Sequence, residues 1–328
     1  MSEAHEDRSI TRKEFISRST AGAIGLGLGL AGGVQAQDSS QPKRSKVVLA
    51  RDKSAMTPEG QKDPVVAGSL LEKALCAYTG ETDAVRAVGR FIRPEDVVGI
   101  KMSVMMTATH PELVAGLARL LVKLGVREEN IIIWDRDIAG RGIAGAYQRD
   151  QHFGFGENSV SRIINDHATA LINFPGLKSH WLSGVGGALK NWCGAVTNIN
   201  VRDIDTPYSI HGDSCADMGK LAAIEAIKSK TRLNLVDAMQ PLFEGGPQVN
   251  PAYLWPYGGL LLAEDPVALD AVGVKIIQAR RDQHRGRPWP VNPPAKHVAL
   301  ADTRYNLGVS DFDRIDLVAV GEEEGRLI

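Results

Sequence analysis

Residues 96–134, DVVGIKMSVMMTATHPELVAGLARLLVKLGVREENIIIW, decide how this chain folds. Two short apolar runs, Asp96-Val-Val-Gly-Ile-Lys101 and Asn130-Ile-Ile-Ile-Trp134, flank a segment with a different period. In that segment Leu113, Leu117, Leu120, Leu121 and Leu124 recur at three- and four-residue spacing, which places them on one face of a helix from Pro111 to Leu124. The flanking runs are too short for helices and show no polar alternation, so each reads as a strand buried on both faces. Strand, helix, strand is the repeating unit of a parallel sheet covered by helices.

The same alternation continues outward. Lys46-Val-Val-Leu-Ala-Arg51 reads as a first strand, and Ala168 to Phe174 as a fourth, stopped by Pro175-Gly176. Arg232-Leu-Asn-Leu-Val-Asp237, Gly259-Leu-Leu-Leu-Ala263 and Arg314 to Val320 follow as further strands. Asp265-Pro266 supplies an N-cap and first-turn proline for a helix running to Ile277. Ser214, with Asp217 three residues on, suggests another helix start, with Met218, Leu221, Ile224 and Ile227 facing inward as far as Lys230. The expected fold class is α/β, a mainly parallel sheet covered by helices with an elaborated glycine-rich middle region, forming a single domain over residues 46–328.

Residues 1–36 are expected to be an export signal: Thr11-Arg12-Lys13-Glu14-Phe15-Ile16 leads into a short apolar, glycine-rich run from Ala21 to Gly33 and a small-residue cleavage site at Ala36. The Arg-Lys pair before Glu and Phe resembles a twin-arginine signal, with Lys13 in place of the second arginine. That run is shorter than the roughly 20 apolar residues a transmembrane helix needs, so no membrane span is expected after processing. It also holds Gly27, Gly29 and Gly32 at dinucleotide-fingerprint spacing, without the strand that motif requires. Polar residues 37–45 read as a linker. The expected location is periplasmic or otherwise extracytoplasmic in a bacterium, with the export machinery as a partner.

Lysine and arginine number 38 against 39 acidic residues, a net charge of −1, so no basic field is present to hold nucleic acid. The three cysteines, Cys76, Cys193 and Cys215, have no C-x-x-C spacing, which argues against a zinc ribbon or a ferredoxin-type cluster. Buried, inert thiols are the favoured state of each, although Cys193 and Cys215 could bridge in an oxidising compartment.

In an open parallel sheet, ligands bind beyond the carboxyl ends of the strands. Lys101, Asp135, Lys178, His180, Asp237 and Glu264-Asp265 all follow or end predicted strands, which suggests a common rim. The stretch Leu177 to Asn198, LKSHWLSGVGGALKNWCGAVTN, concentrates reactive side chains on a glycine-rich backbone there. Gly184, Gly186 and Gly187 before Ala188-Leu189-Lys190 could present free backbone N–H groups and a lysine at a helix start, an environment for phosphate or carboxylate. Lys101, Lys178 and Lys190 could neutralise an anion, with Asn191, Asp135, Asp237 and Glu244 as further ligand-binding candidates. His180 and His211 are candidates for acid–base work or for metal ligation, oriented by Asp213 or Asp237, and Lys178 joins them as a catalytic candidate. The spacing of a nucleophile-elbow serine is absent.

Val98-Gly99-Ile100-Lys101, Leu177-Lys178-Ser179-His180, Gly184-Val-Gly-Gly-Ala-Leu-Lys-Asn191 with Gly194, Asp237 with Glu244-Gly245-Gly246-Pro247, and Asp265-Pro-Val-Ala-Leu-Asp270 together resemble the domain of unknown function 362 family. The resemblance runs from about Lys46 to Arg281. It implies a shared fold but no settled reaction. Some relatives carry a ferredoxin-like module, which this sequence lacks, so the resemblance is taken to imply no protein-held iron–sulfur cluster. The leading expectation is an exported enzyme acting on a small anionic substrate, the alternative a metal- or cofactor-carrying binding or redox protein of the cell envelope.

Overall fold

Nine strands line up in one sheet, most of them short apolar runs whose alternate side chains enter two different cores. A computed structural model describes residues 44–57, 59–105, 107–135, 154–156, 159–196, 210–246 and 248–328, and the counts below are of these residues. Residues Pro42–Ile328 group as one compact unit. The proposed signal, residues 1–36, and most of the irregular stretch after Ala139 lie outside the described residues.

The strands are β1 (Ser45–Arg51), β2 (Val98–Met102), β3 (Ile131–Trp134), β4 (Ala170–Phe174), β5 (Gly176–His180), β6 (Gly184–Gly186), β7 (Thr231–Leu242), β8 (Gly259–Ala263) and β9 (Ile315–Gly321). Their order is β3-β2-β4-β7-β8-β1-β9, with β5 beside the later half of β7 and β6 beside β5. Pairs β2–β3, β2–β4, β4–β7, β5–β7 and β1–β9 are parallel. Strand β8 runs antiparallel to both its neighbours, β7 and β1, and β6 forms a hairpin with β5. The fold is α/β with a mostly parallel sheet, as the sequence suggests. One expectation needs correcting: because β8 runs backward, Glu264 and Asp265 leave the sheet at the edge opposite to Lys101 and Asp135.

Helices cover both faces. On one side α1 (Pro64–Thr79) and α2 (Ala84–Val88) pack with α3 (Pro111–Leu124), which buries Leu113, Leu117, Leu120 and Leu121 and stops at Gly125 in the left-handed region. On the other lie α4 (Ala188–Asn191), α5 (Gly219–Ala222), α6 (Glu225–Lys228), α7 (Pro266–Arg285) and α8 (Lys296–Thr303). Asp265 caps α7 by accepting from the Val267 and Ala268 amides, ahead of Pro266 in the first turn. The helix expected to run from Ser214 to Lys230 is instead two short pieces, α5 and α6. Asp213, Ser214 and Cys215 all have positive φ, so Ser214 caps nothing and the chain turns before α5 begins.

Candidate functional site

The carboxyl ends of β2, β3 and β4 meet α4 through a buried polar chain. Lys101 is fully buried, and its ammonium donates to the Met102 carbonyl (2.7 Å), Asp135 Oδ1 (2.7 Å) and Asn191 Oδ1 (3.2 Å). Asn191 Nδ2 returns bonds to the Lys101 carbonyl and to Asn173 Oδ1, and Asn173 Nδ2 reaches the Ala188 carbonyl and Asn234 Oδ1. Asn173 and Asn234 are register partners in β4 and β7, so this ladder pins α4 to the sheet. With three donors and three acceptors, Lys101 is saturated; Asp135, whose second oxygen takes the Val104 amide, completes the tie. Lys101, Asp135 and Asn191, expected at a ligand, are here bonded to one another and to the backbone at the end of β2.

The glycine-rich turn is organised by another carboxylate. Asp270 on α7, almost fully buried, accepts from the Ala188 amide (2.6 Å) and the Leu189 amide (2.9 Å). These are the N–H groups that the sequence offered to an external anion, so the turn's own anion comes from the protein. A side chain on Gly187 would overlap Asp270. Gly186 faces Lys178 across the β5–β6 hairpin and leaves room for its stem. Gly184, at φ +75°, lets the Pro293 carbonyl and the Ala295 amide come against the backbone. All three glycines therefore serve close packing.

Lys178 reaches from β5 toward the segment after β2. Its ammonium donates to Ser103 Oγ (2.7 Å) and to the carbonyls of Met105 (3.0 Å) and Thr107 (3.1 Å). Burial pushes its pKa down to about 7; Asp135 and Asp237 oppose the fall, while Lys101 and Lys190 add to it. Asp237 lies on the same face of the β5–β7 pair and holds His110, the residue before α3: His110 Nδ1 and the His110 amide both lie 2.6 Å from Asp237 Oδ2. The Met239 amide fixes the other oxygen at 2.9 Å. Burial works against charge on His110, but the adjacent carboxylate prevails and its pKa is raised. An Nδ1 engaged by a carboxylate leaves Nε2 as the proton-exchanging atom.

Beyond the β5–β6 hairpin lie Lys190, His180 and His211, with Asp213 of the His211 segment paired to Lys296. Lys190 Nζ lies 3.2 Å from His211 Nε2. The Leu182 amide donates to His180 Nδ1 (3.1 Å), so the neutral imidazole carries its proton on Nε2 and is a donor. Burial, then Lys190, His211, Lys178 and His297 in turn, push the His180 pKa down to about 3. The base role open to His180 thus loses its lone pair to the backbone. Cys193 Sγ contacts Met218 Sδ at 3.2 Å, and burial pushes the Cys215 thiol up to about 11; none of the three cysteines is in a disulfide.

Glu244 pairs with Arg281 of α7. Among the described residues no group of three or more His, Cys, Asp or Glu side chains is arranged to hold a metal ion, so His180 and His211 are not joined by a third ligand. The sequence reading missed His110, which the strand-end rule would have reached had the end of the β2 segment been followed to the start of α3. It missed His297 for a different reason, since α8 lies over a hundred residues away in sequence.

Residues 149–275 match the family described as Domain of unknown function (DUF362). No curated protein matches the chain. A crystal structure of a Thermotoga maritima protein, solved by the Northeast Structural Genomics Consortium, is similar at 12% identity with a TM-score of 0.35. The match covers 61% of this chain and 56% of that one, so the chain spans little more than half of that relative.

Proposed function

We propose that this chain is an enzyme acting on a small anionic substrate at the carboxyl edge of the sheet. The observation that carries the reading is the setting of Lys190. Among the described residues it has no carboxylate partner, and its near neighbour is the His211 ring at 3.2 Å. A half-buried ammonium beside imidazoles, with its counter-charge missing from the described protein, is suited to a bound anion. In this reading Lys190 and the Nε2–H of His180 hold the anion. The His110–Asp237 pair exchanges the proton, while Lys178, its three donors taken by Ser103, Met105 and Thr107, holds the segment after β2 in place.

The test is calorimetric titration of the purified protein with a panel of phosphorylated and carboxylated metabolites, repeated with Lys190→Ala. Loss of a charged hydrogen bond is expected to weaken binding by roughly 10- to 100-fold. Unchanged binding of whichever compound is found would remove Lys190 from the site. The alternative role, a carrier of a metal or organic cofactor in the envelope, has no described set of metal-type ligands to favour it.

We propose further that residues 1–36 direct export to a periplasmic or other extracytoplasmic compartment, on the strength of their composition. Among the described residues no helix is long and apolar enough to cross a membrane. Cell fractionation with Arg12→Lys is expected to show the protein retained inside; equal delivery of both forms would count against the twin-arginine route.

A further inference from the structure

We propose that His297 is a ligand-binding residue of the Lys190 site, donating a ring N–H to an oxygen of a bound carboxylate or phosphate group. This rests on the reading of that edge as an anion site and extends it to an element the family's matched segment does not include, since α8 begins 21 residues beyond residue 275.

Three observations place His297 there. First, Gly184 in the left-handed region allows residues 293–295 to lie against β6, which delivers the start of α8 beside the glycine-rich turn. Second, Lys296 donates to Asp213 Oδ1 at 2.8 Å, tying the same end of α8 to the segment that carries His211. His297 is thereby held between the turn leading to Lys190 and the His211 segment. Third, its ring is 1% exposed and Nδ1 has no hydrogen-bond partner. Buried polar atoms in folded proteins are nearly always paired, so an orphan ring nitrogen at an anion site marks the place of a missing partner. Burial and the Lys190 charge both keep the ring neutral. A neutral imidazole has one N–H to give, and an oxyanion held by Lys190 is the acceptor that suits it.

The site so defined offers one charged and two neutral donors, from Lys190, His180 and His297, to a group with at least two acceptor oxygens. Carboxylate and phosphate share that chemistry, and the experiment separates them.

Full-length protein is titrated calorimetrically with inorganic phosphate and, separately, with acetate, using the wild type, His297→Phe, His297→Gln and Lys190→Ala. Phenylalanine keeps the volume and removes the unpaired nitrogen, so this variant is expected to melt no lower than the wild type while binding the preferred anion at least about tenfold more weakly. His297→Gln, which retains an N–H, is expected to stay closer to the wild type. In parallel, the ring resonances of His297 in nitrogen-15-labelled wild-type protein should move on adding the same anion, a readout that needs no variant to fold. Binding that is lost in Lys190→Ala but unchanged in His297→Phe, or His297 resonances that stay fixed at saturation, would overturn the inference and leave the anion site standing. If neither phosphate nor acetate binds the wild type, both fall together.

Discussion

Asp270 shows what one buried carboxyl does for the site. Its two oxygens take the first two amides of α4, so it sets the direction in which Lys190 leaves the helix. Burial pushes its pKa up to about 7, with the Leu189 and Ala188 amides pulling the other way. An unfolded aspartate loses its proton near pH 4. Between those values the folded chain holds more protons than the unfolded one, so this group's contribution to stability is full at low pH and declines as pH rises from about 4 to about 7. Asp270→Asn should flatten that decline, as measured by urea unfolding at pH 4.5 and 7.5; an equal loss in both proteins would refute the assignment. Asp270→Ala leaves two buried amides unpaired and is expected to cost roughly 2–4 kcal/mol in the same assay.

At the scale of elements, the β5–β6 hairpin and α8 depend on one another through Gly184. Alanine there would adopt a left-handed backbone at a cost of about 1–2 kcal/mol and would also overlap the Pro293 carbonyl. Gly184→Ala is therefore expected to lower stability by more than the backbone term alone and to weaken anion binding by displacing α8. Wild-type unfolding and titration curves would show that the close approach is unimportant. Elements with strong local signals were legible in the sequence. Helix α3 has a leucine face, a first-turn proline and a terminal glycine, and α7 has its Asp265-Pro266 start. The hairpin was not legible, because Gly176, Gly184 and Gly186 carry no β-preference and their role is set by what packs on them. The helix read from Ser214 failed because three successive left-handed residues override its capping pattern. Of the candidate site, the residue types of Lys178, His180, Lys190 and His211 and the strand-end positions of Lys178 and His180 were visible in the sequence. Whether each lysine would be saturated, as Lys101 is, or left without a carboxylate, as Lys190 is among the described residues, depends on residues distant in sequence.

For the molecule as a whole, the sheet direction separates two kinds of polar edge. The strand ends after β2 and β3, together with β5, gather the lysines and histidines, whereas the end of β8 delivers Asp265 to cap α7 and accept from Ser45 and Val309. Polar residues following strands thus divide into those that face the site and those that fasten the back of the fold. Strand β1 has its neighbours in β8 and β9, which enter the chain more than two hundred residues later. Contacts of such long sequence separation form late, and a strand awaiting them is exposed to aggregation. The first strand therefore waits unpaired while more than two hundred further residues are made, an interval in which a holding chaperone could keep it from aggregating.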